Sequence, residues 1–215
     1  MVNETNILES FKEWLEEREE QQEILTKLSD LSNDYGTGWE HWLKYELAFL
    51  LSDSLDPKYE VCLEKLVDID GRGLGGTKTK RIDLAISWDC GKSDQCIQLI
   101  ELKVGWLTEK EIDDYIGNDL DFTEAAIEHY LLDMYYLNKV KEQATKCRGT
   151  FILCFFATQT DNTTDNPVDD EKVKDFLGKY KKKLGEYAGL EQRKIKSNSV
   201  YAGNSLYLAE FSISI

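Results

Sequence analysis

Gln95-Cys96-Ile97-Gln98-Leu99-Ile100-Glu101-Leu102-Lys103 is the stretch on which the fold turns. Its apolar run, broken only by Gln98, reads as a strand buried on at least one face, with Glu101 and Lys103 two residues apart at its end. Side chains alternate between the faces of a strand, so this spacing sends a carboxylate and an ammonium to the same side. Taken alone, Glu-x-Lys is an ordinary ion pair at a solvated strand end, and the elements around it decide whether it is more.

Immediately upstream, Arg81 to Trp88 reads as a second strand, with Asp83 in an apolar setting, and Asp89 to Asp94 forms the hairpin turn between the two. Before it, Tyr59 to Ile69 alternates as a further strand. The glycines of Asp70 to Gly76 match G-x-G-x-x-G, but a dinucleotide fingerprint needs a helix next and a strand follows, so this is a flexible connection. Trp39 to Leu51 has helical periodicity. Glu46 falls on its apolar stripe, with Trp39 and Leu43 at i−7 and i−3 and Leu50 at i+4, and a carboxylate there wants a partner or a metal.

Downstream, Glu109 to Asp121 reads as loop with a short helical piece, Phe122 to Cys147 as a long helix, and Thr150 to Ala157 as a fully buried strand. Val168 to Tyr187 is a surface helix carrying the basic run Lys179, Lys181, Lys182 and Lys183, and Ser205 to Ile215 is a last alternating strand. Ile7 to Leu31 is amphipathic and helical. The expectation is one domain of α/β (α+β) class, with an N-terminal helical extension over 1–35, a core over 39–157 and a C-terminal helix and strand over 168–215.

Composition sets further bounds. The chain has 215 residues, 41% hydrophobic, enough for one core. A net charge of −15 repels nucleic acid at long range, so contact with it would need a local basic patch. No apolar stretch approaches the ~20 residues that span a bilayer, and Met1-Val2-Asn3-Glu4 lacks the basic and apolar regions of a signal peptide, so a cytoplasmic protein with no membrane contact is expected. Cys62, Cys90, Cys96, Cys147 and Cys154 include no C-x-x-C pair and read as reduced thiols; with only His41 and His129, a zinc site is not expected.

A helix with Glu46, a strand, a strand with Asp83, a strand with Glu101-Leu102-Lys103, a long helix and a buried strand together resemble the PD-(D/E)xK nuclease superfamily. The resemblance covers Trp39 to Ala157 and departs from the motif at Ile82, where the family pattern has proline. It implies a restriction-endonuclease-like fold, a central mixed sheet flanked by helices. It also implies that Asp83 and Glu101 ligand Mg²⁺, or Mn²⁺, that Glu46 adds a further metal contact, and that Lys103 positions or activates the attacking water.

Carboxylates that hold a divalent cation beside a lysine suit phosphodiester hydrolysis, which needs charge neutralisation and an oriented water but no nucleophilic side chain. Lys78, Lys80 and Arg81 are the expected nucleic-acid contacts, with DNA as the expected target, and the lysine run near Lys182 is a further candidate. The contrasting reading is a non-catalytic acidic module of immunity or inhibitor type on the same fold, which the net charge favours. Pairing with a second copy or with a partner protein is left open.

Overall fold

The strand that carries Glu101 and Lys103 runs on past them to Thr108 and forms the spine of a mixed sheet. The computed structural model describes residues 12–13, 36–55, 58–70, 79–91, 94–117, 133–140, 146–159, 166–191, 194–203 and 205–215. The N-terminal extension, apart from the helical pair Lys12 and Glu13, lies outside these residues, as do the glycine-rich connection and Lys78. In chain order the elements are α1 (Gly36–Ser54), β1 (Tyr59–Asp68), β2 (Thr79–Gly91), β3 (Asp94–Thr108), α2 (Glu109–Gly117), β4 (Lys146–Thr158), α3 (Asp170–Ala188), β5 (Lys196–Gly203) and β6 (Leu206–Ser214).

The strands lie in the order β1-β2-β3-β4-β6-β5. β3 and β4 run parallel and the other neighbours antiparallel. A parallel neighbour needs a crossover, and α2 with a helical turn over 133–137 lies in it. β4 is buried on both faces: Phe151, Leu153, Phe155 and Ala157 enter one core, Ile152, Cys154 and Phe156 the other. The first core packs under α2, the 133–137 turn and α3; the second packs under α1 through Leu43, Leu47 and Leu51. The coarse expectation of a mixed sheet flanked by helices therefore holds.

Three expectations change. The helix expected from Phe122 to Cys147 ends at 137, because Asn138 and Lys139 turn the chain, Val140 bridges to Ile69, and Cys147 is already in β4; residues 122–132 lie outside the described set. β5 was not expected, since its Lys-Ser-Asn-Ser start carries no apolar alternation. Finally, Cys90 and Cys96 form a disulfide across the β2–β3 hairpin, with Cα atoms 5.8 Å apart; outside that bridge, Cys62 is exposed and Cys147 and Cys154 are buried.

Candidate active site at the fork of the sheet

β2 and β3 are paired from the hairpin back to Leu84 opposite Ile100, and there the ladder ends. Beyond it β2 stays with β1 and β3 stays with β4, so the sheet forks. Asp83 and Glu101 are the first residue of each strand past the last pair. The backbone amide of Leu102, left without a β2 carbonyl, donates to Asp83 Oδ2 at 3.0 Å. The carboxylate thus replaces a ladder bond and fixes Asp83 against β3.

A switch in side-chain alternation accompanies the fork. Tyr59, Val61 and Leu63 pack on the α1 side, whereas Val67 and Ile69 belong to the opposite core; on β2, Leu84 and Ile86 face α1 and Ile82 does not. Regular strands would keep each of these sets on one face. The break lies between the pairs Leu63–Leu84 and Lys65–Ile82, where Glu64 would stand opposite Asp83, and Glu64 has a left-handed φ of 53°. Such a conformation in a non-glycine residue is uncommon and concentrates at functional sites.

Where β2 and β3 no longer pair, side chains from both faces meet. From α1, Lys44 Nζ donates to Glu64 Oε1 at 2.9 Å and reaches Asp83 Oδ1 at 3.5 Å, while Glu40 Oε1 lies 3.1 Å from Lys103 Nζ. From the other face, Asp133 takes Lys80 Nζ on Oδ1 at 2.7 Å and Lys103 Nζ on Oδ2 at 3.4 Å. Lys80 Nζ also stands 3.2 Å from Glu101 Oε1 and over the ring of Tyr136, 4.9 Å from its centroid. Arg81, exposed, pairs with Glu64 Oε2 at 3.1 Å.

Glu101 is the anomaly of the cluster. It is 2% exposed, and its Oε1 has no hydrogen-bond partner: Lys80 is near enough to attract the charge but is not aligned to donate. Burial first, then the neighbouring Asp133, push its carboxyl well above the usual range; Lys80 pulls the other way and Asp83, within hydrogen-bonding reach, adds to the rise. Lys103 is held the opposite way. Burial disfavours its ammonium, but the Asp133 and Glu40 carboxylates outweigh it, and it stays protonated well beyond the ordinary lysine range.

The structure thus brings Asp83, Glu101 and Lys103 together, and replaces the expected helix residue. The described contacts of these three go to Glu40 and Lys44 of α1 and none goes to Glu46. Leu43, Leu47 and Leu51 form the buried stripe, and at ~100° per residue Glu46 sits roughly 120° around the helix from Glu40. Lys80, expected to touch nucleic acid, is turned into the site. Arg81 remains on the surface; Lys179 of the basic run donates to the Ile116 carbonyl, and Lys182 and Lys183 approach Glu186. Asp133 was not expected; its signal is an acid set between Leu132 and Met134.

Among the described residues, no group of three or more His, Cys, Asp or Glu side chains is arranged to hold a metal ion, and no helix is long and apolar enough to cross a membrane. No protein-family model matches the chain, and no curated protein matches it. Among solved structures it is similar to the crystal structure of SSO0001, at 15% identity over 85% of this chain and 71% of that one, with a TM-score of 0.27, too slight a likeness to bear on function.

Proposed function

We propose that the chain is a divalent-metal-dependent nuclease of the restriction-endonuclease-like fold, acting on DNA, with its chemistry at the fork between β2 and β3. The observation that carries the reading is the meeting of Asp83, Glu101 and Lys103 at the point where the two strands part. The order of strands around them, an antiparallel β1-β2-β3 set with β4 parallel to β3, is in keeping with it.

The residues fit a Mg²⁺ or Mn²⁺ ion. Mg²⁺ uses one or two protein carboxylates and completes its shell with water and substrate phosphate, so a third acidic ligand is not required. Glu101 offers a buried oxygen to which no described group donates a hydrogen bond, beside Asp83. When bound, the metal would neutralise phosphate charge and lower the pKa of a coordinated water. Lys103, kept charged by Asp133 and Glu40, cannot serve as a base in this state; it acts as a fixed cation and donor toward a phosphate oxygen or the attacking water. Glu40 takes over the helix-carboxylate role expected of Glu46. The proposed setting is cytoplasmic, and the Cys90–Cys96 bridge, of a kind that reducing compartments disfavour, is the feature against it.

The test is cleavage of single- and double-stranded DNA and RNA with Mg²⁺ or Mn²⁺ and with EDTA. Cleavage is expected only with metal, and a Lys103→Ala variant that remains folded should lose roughly 10²-fold or more in rate. Cleavage by folded Lys103→Ala at the wild-type rate would remove Lys103 from the mechanism. The acidic-module reading is favoured by the −15 net charge, and would take precedence if neither metal changed cleavage or melting temperature.

A further inference from the structure

The proposed metal position already has cations beside it, and they belong to the chain. Lys80 Nζ lies 3.2 Å from Glu101 Oε1 but 2.7 Å from Asp133 Oδ1. Its ammonium also stands over the Tyr136 ring, 4.9 Å from the centroid. Lys80 therefore neutralises Glu101 from a distance while its short contact is to Asp133, a residue outside the nuclease motif and 5% exposed. The two carboxylates share the same ammonium.

We propose that Lys80 is a built-in competitor of the divalent cation, standing in for part of its charge in the metal-free protein, and that Asp133 is the residue that keeps it there. This rests on the proposed metal site. An ammonium can compensate a buried carboxylate without ligating a metal, and a divalent ion at Glu101 would meet it as a like charge at close range. Metal affinity at the fork is then lower than the carboxylates alone would give. With a divalent ion held at Glu101, Lys80 would remain paired with Asp133 alone. Lys80 is a positioning and affinity-setting residue here. The arrangement assigns it neither to the ligand set nor to a general basic patch.

The experiment uses the full chain, Mn²⁺ alone as probe, and calorimetric titration together with thermal melting, with no substrate. Lys80→Met keeps the apolar stem and removes the charge. It is expected to bind Mn²⁺ at least tenfold more tightly than wild type. Its metal-free melting temperature should fall, because Glu101 has lost its compensating charge, and the rise on adding Mn²⁺ should be larger than in wild type. Lys80→Arg, which keeps the charge, should bind within about threefold of wild type, and it provides a second folded comparison if Lys80→Met is too unstable to titrate: in that case Lys80→Gln at low temperature supplies the neutral variant. Wild type that binds Mn²⁺ while the neutral variant binds equally or less tightly would overturn the inference and leave the metal site standing. Absence of Mn²⁺ binding in wild type and variants alike would overturn the metal site itself, and the inference with it.

Discussion

Glu101→Gln should make the metal-free protein more stable at neutral pH, an unusual direction for a substitution at a buried, contact-rich position. The magnitude follows from the geometry. Lys80 at 3.2 Å attracts the Glu101 charge by about 5 kcal/mol at an effective dielectric of ~20. Asp133 shares the same ammonium and so lies at most about 6 Å away, repelling by about 3 kcal/mol, and Asp83, beside Glu101 across the fork, repels by about 4 kcal/mol at a separation of roughly 4 Å. The pairwise balance is unfavourable by about 2 kcal/mol before any cost of burying the charge. Glutamine keeps the volume and removes that charge.

For a domain of this size about 2 kcal/mol corresponds to a rise of roughly 4–8 °C in Tm. The effect has a pH signature. The folded carboxyl titrates well above its unfolded value, so its contribution is intact below the unfolded pKa and is lost as pH rises from there through the folded pKa. The gap between Glu101→Gln and wild type should therefore widen as the pH rises above the unfolded glutamate value and shrink toward zero as the pH falls back to it. Chemical denaturation in EDTA at a series of pH values measures it. A variant no more stable than wild type at pH 7, or a gap that does not close on acidification, would show that Glu101 is a structural partner of Lys80 and that its charge is not under strain.

Two further outcomes check the frame that holds the site. A Cβ at Gly149 would stand 3.0 Å from Ile215 Cδ1 and 3.2 Å from Leu137 Cβ, so Gly149→Ala should lose about 1–3 kcal/mol in urea unfolding, as overpacking of a dense core does. Alkylation of the denatured protein should label Cys62, Cys147 and Cys154 before reduction and all of the cysteines after it, and reduction of the short Cys90–Cys96 loop should cost about 2 kcal/mol of stability by loop-closure entropy.

The legible part of this site was the part written locally. Period-two spacing placed Glu101 and Lys103 on one side of a strand, and the tight hairpin before them brought Asp83 alongside; both readings need only neighbouring residues. Glu46 lies beside Leu43 and Leu50 on the helix wheel, so periodicity alone places it near the buried stripe; that Glu40 and Lys44 are the α1 side chains reaching the fork depends on how the helix crosses the sheet, which has no local signal. Lys80 read as surface because a lysine near a loop usually is. Its burial depends on β2 leaving β3 at Leu84, a tertiary event with no local signal. Asp133 depends on the same event. The polar edge strand β5 carried no alternation, and the cross-hairpin bridge could not be paired from five cysteines.

The strained backbone at Glu64 gains a physical reason once the two lysines are compared. Each is closer to an acid outside the motif than to the motif acid beside it: Lys44 lies 2.9 Å from Glu64 against 3.5 Å from Asp83, and Lys80 lies 2.7 Å from Asp133 against 3.2 Å from Glu101. Lys44 is 3% exposed and cannot turn to water, so without Glu64 its charge would fall wholly on Asp83. A left-handed residue within a strand costs about 1–3 kcal/mol. At Glu64 that conformation accompanies the switch in alternation that sets its carboxylate between Lys44 and Arg81. The effect is to draw the lysine off Asp83, as Asp133 draws Lys80 off Glu101. Asp83 and Glu101 are thereby each left with the longer of a lysine's two contacts, at 3.5 Å and 3.2 Å, so a cation entering the fork meets lysines whose stronger pairing lies with an acid outside the motif.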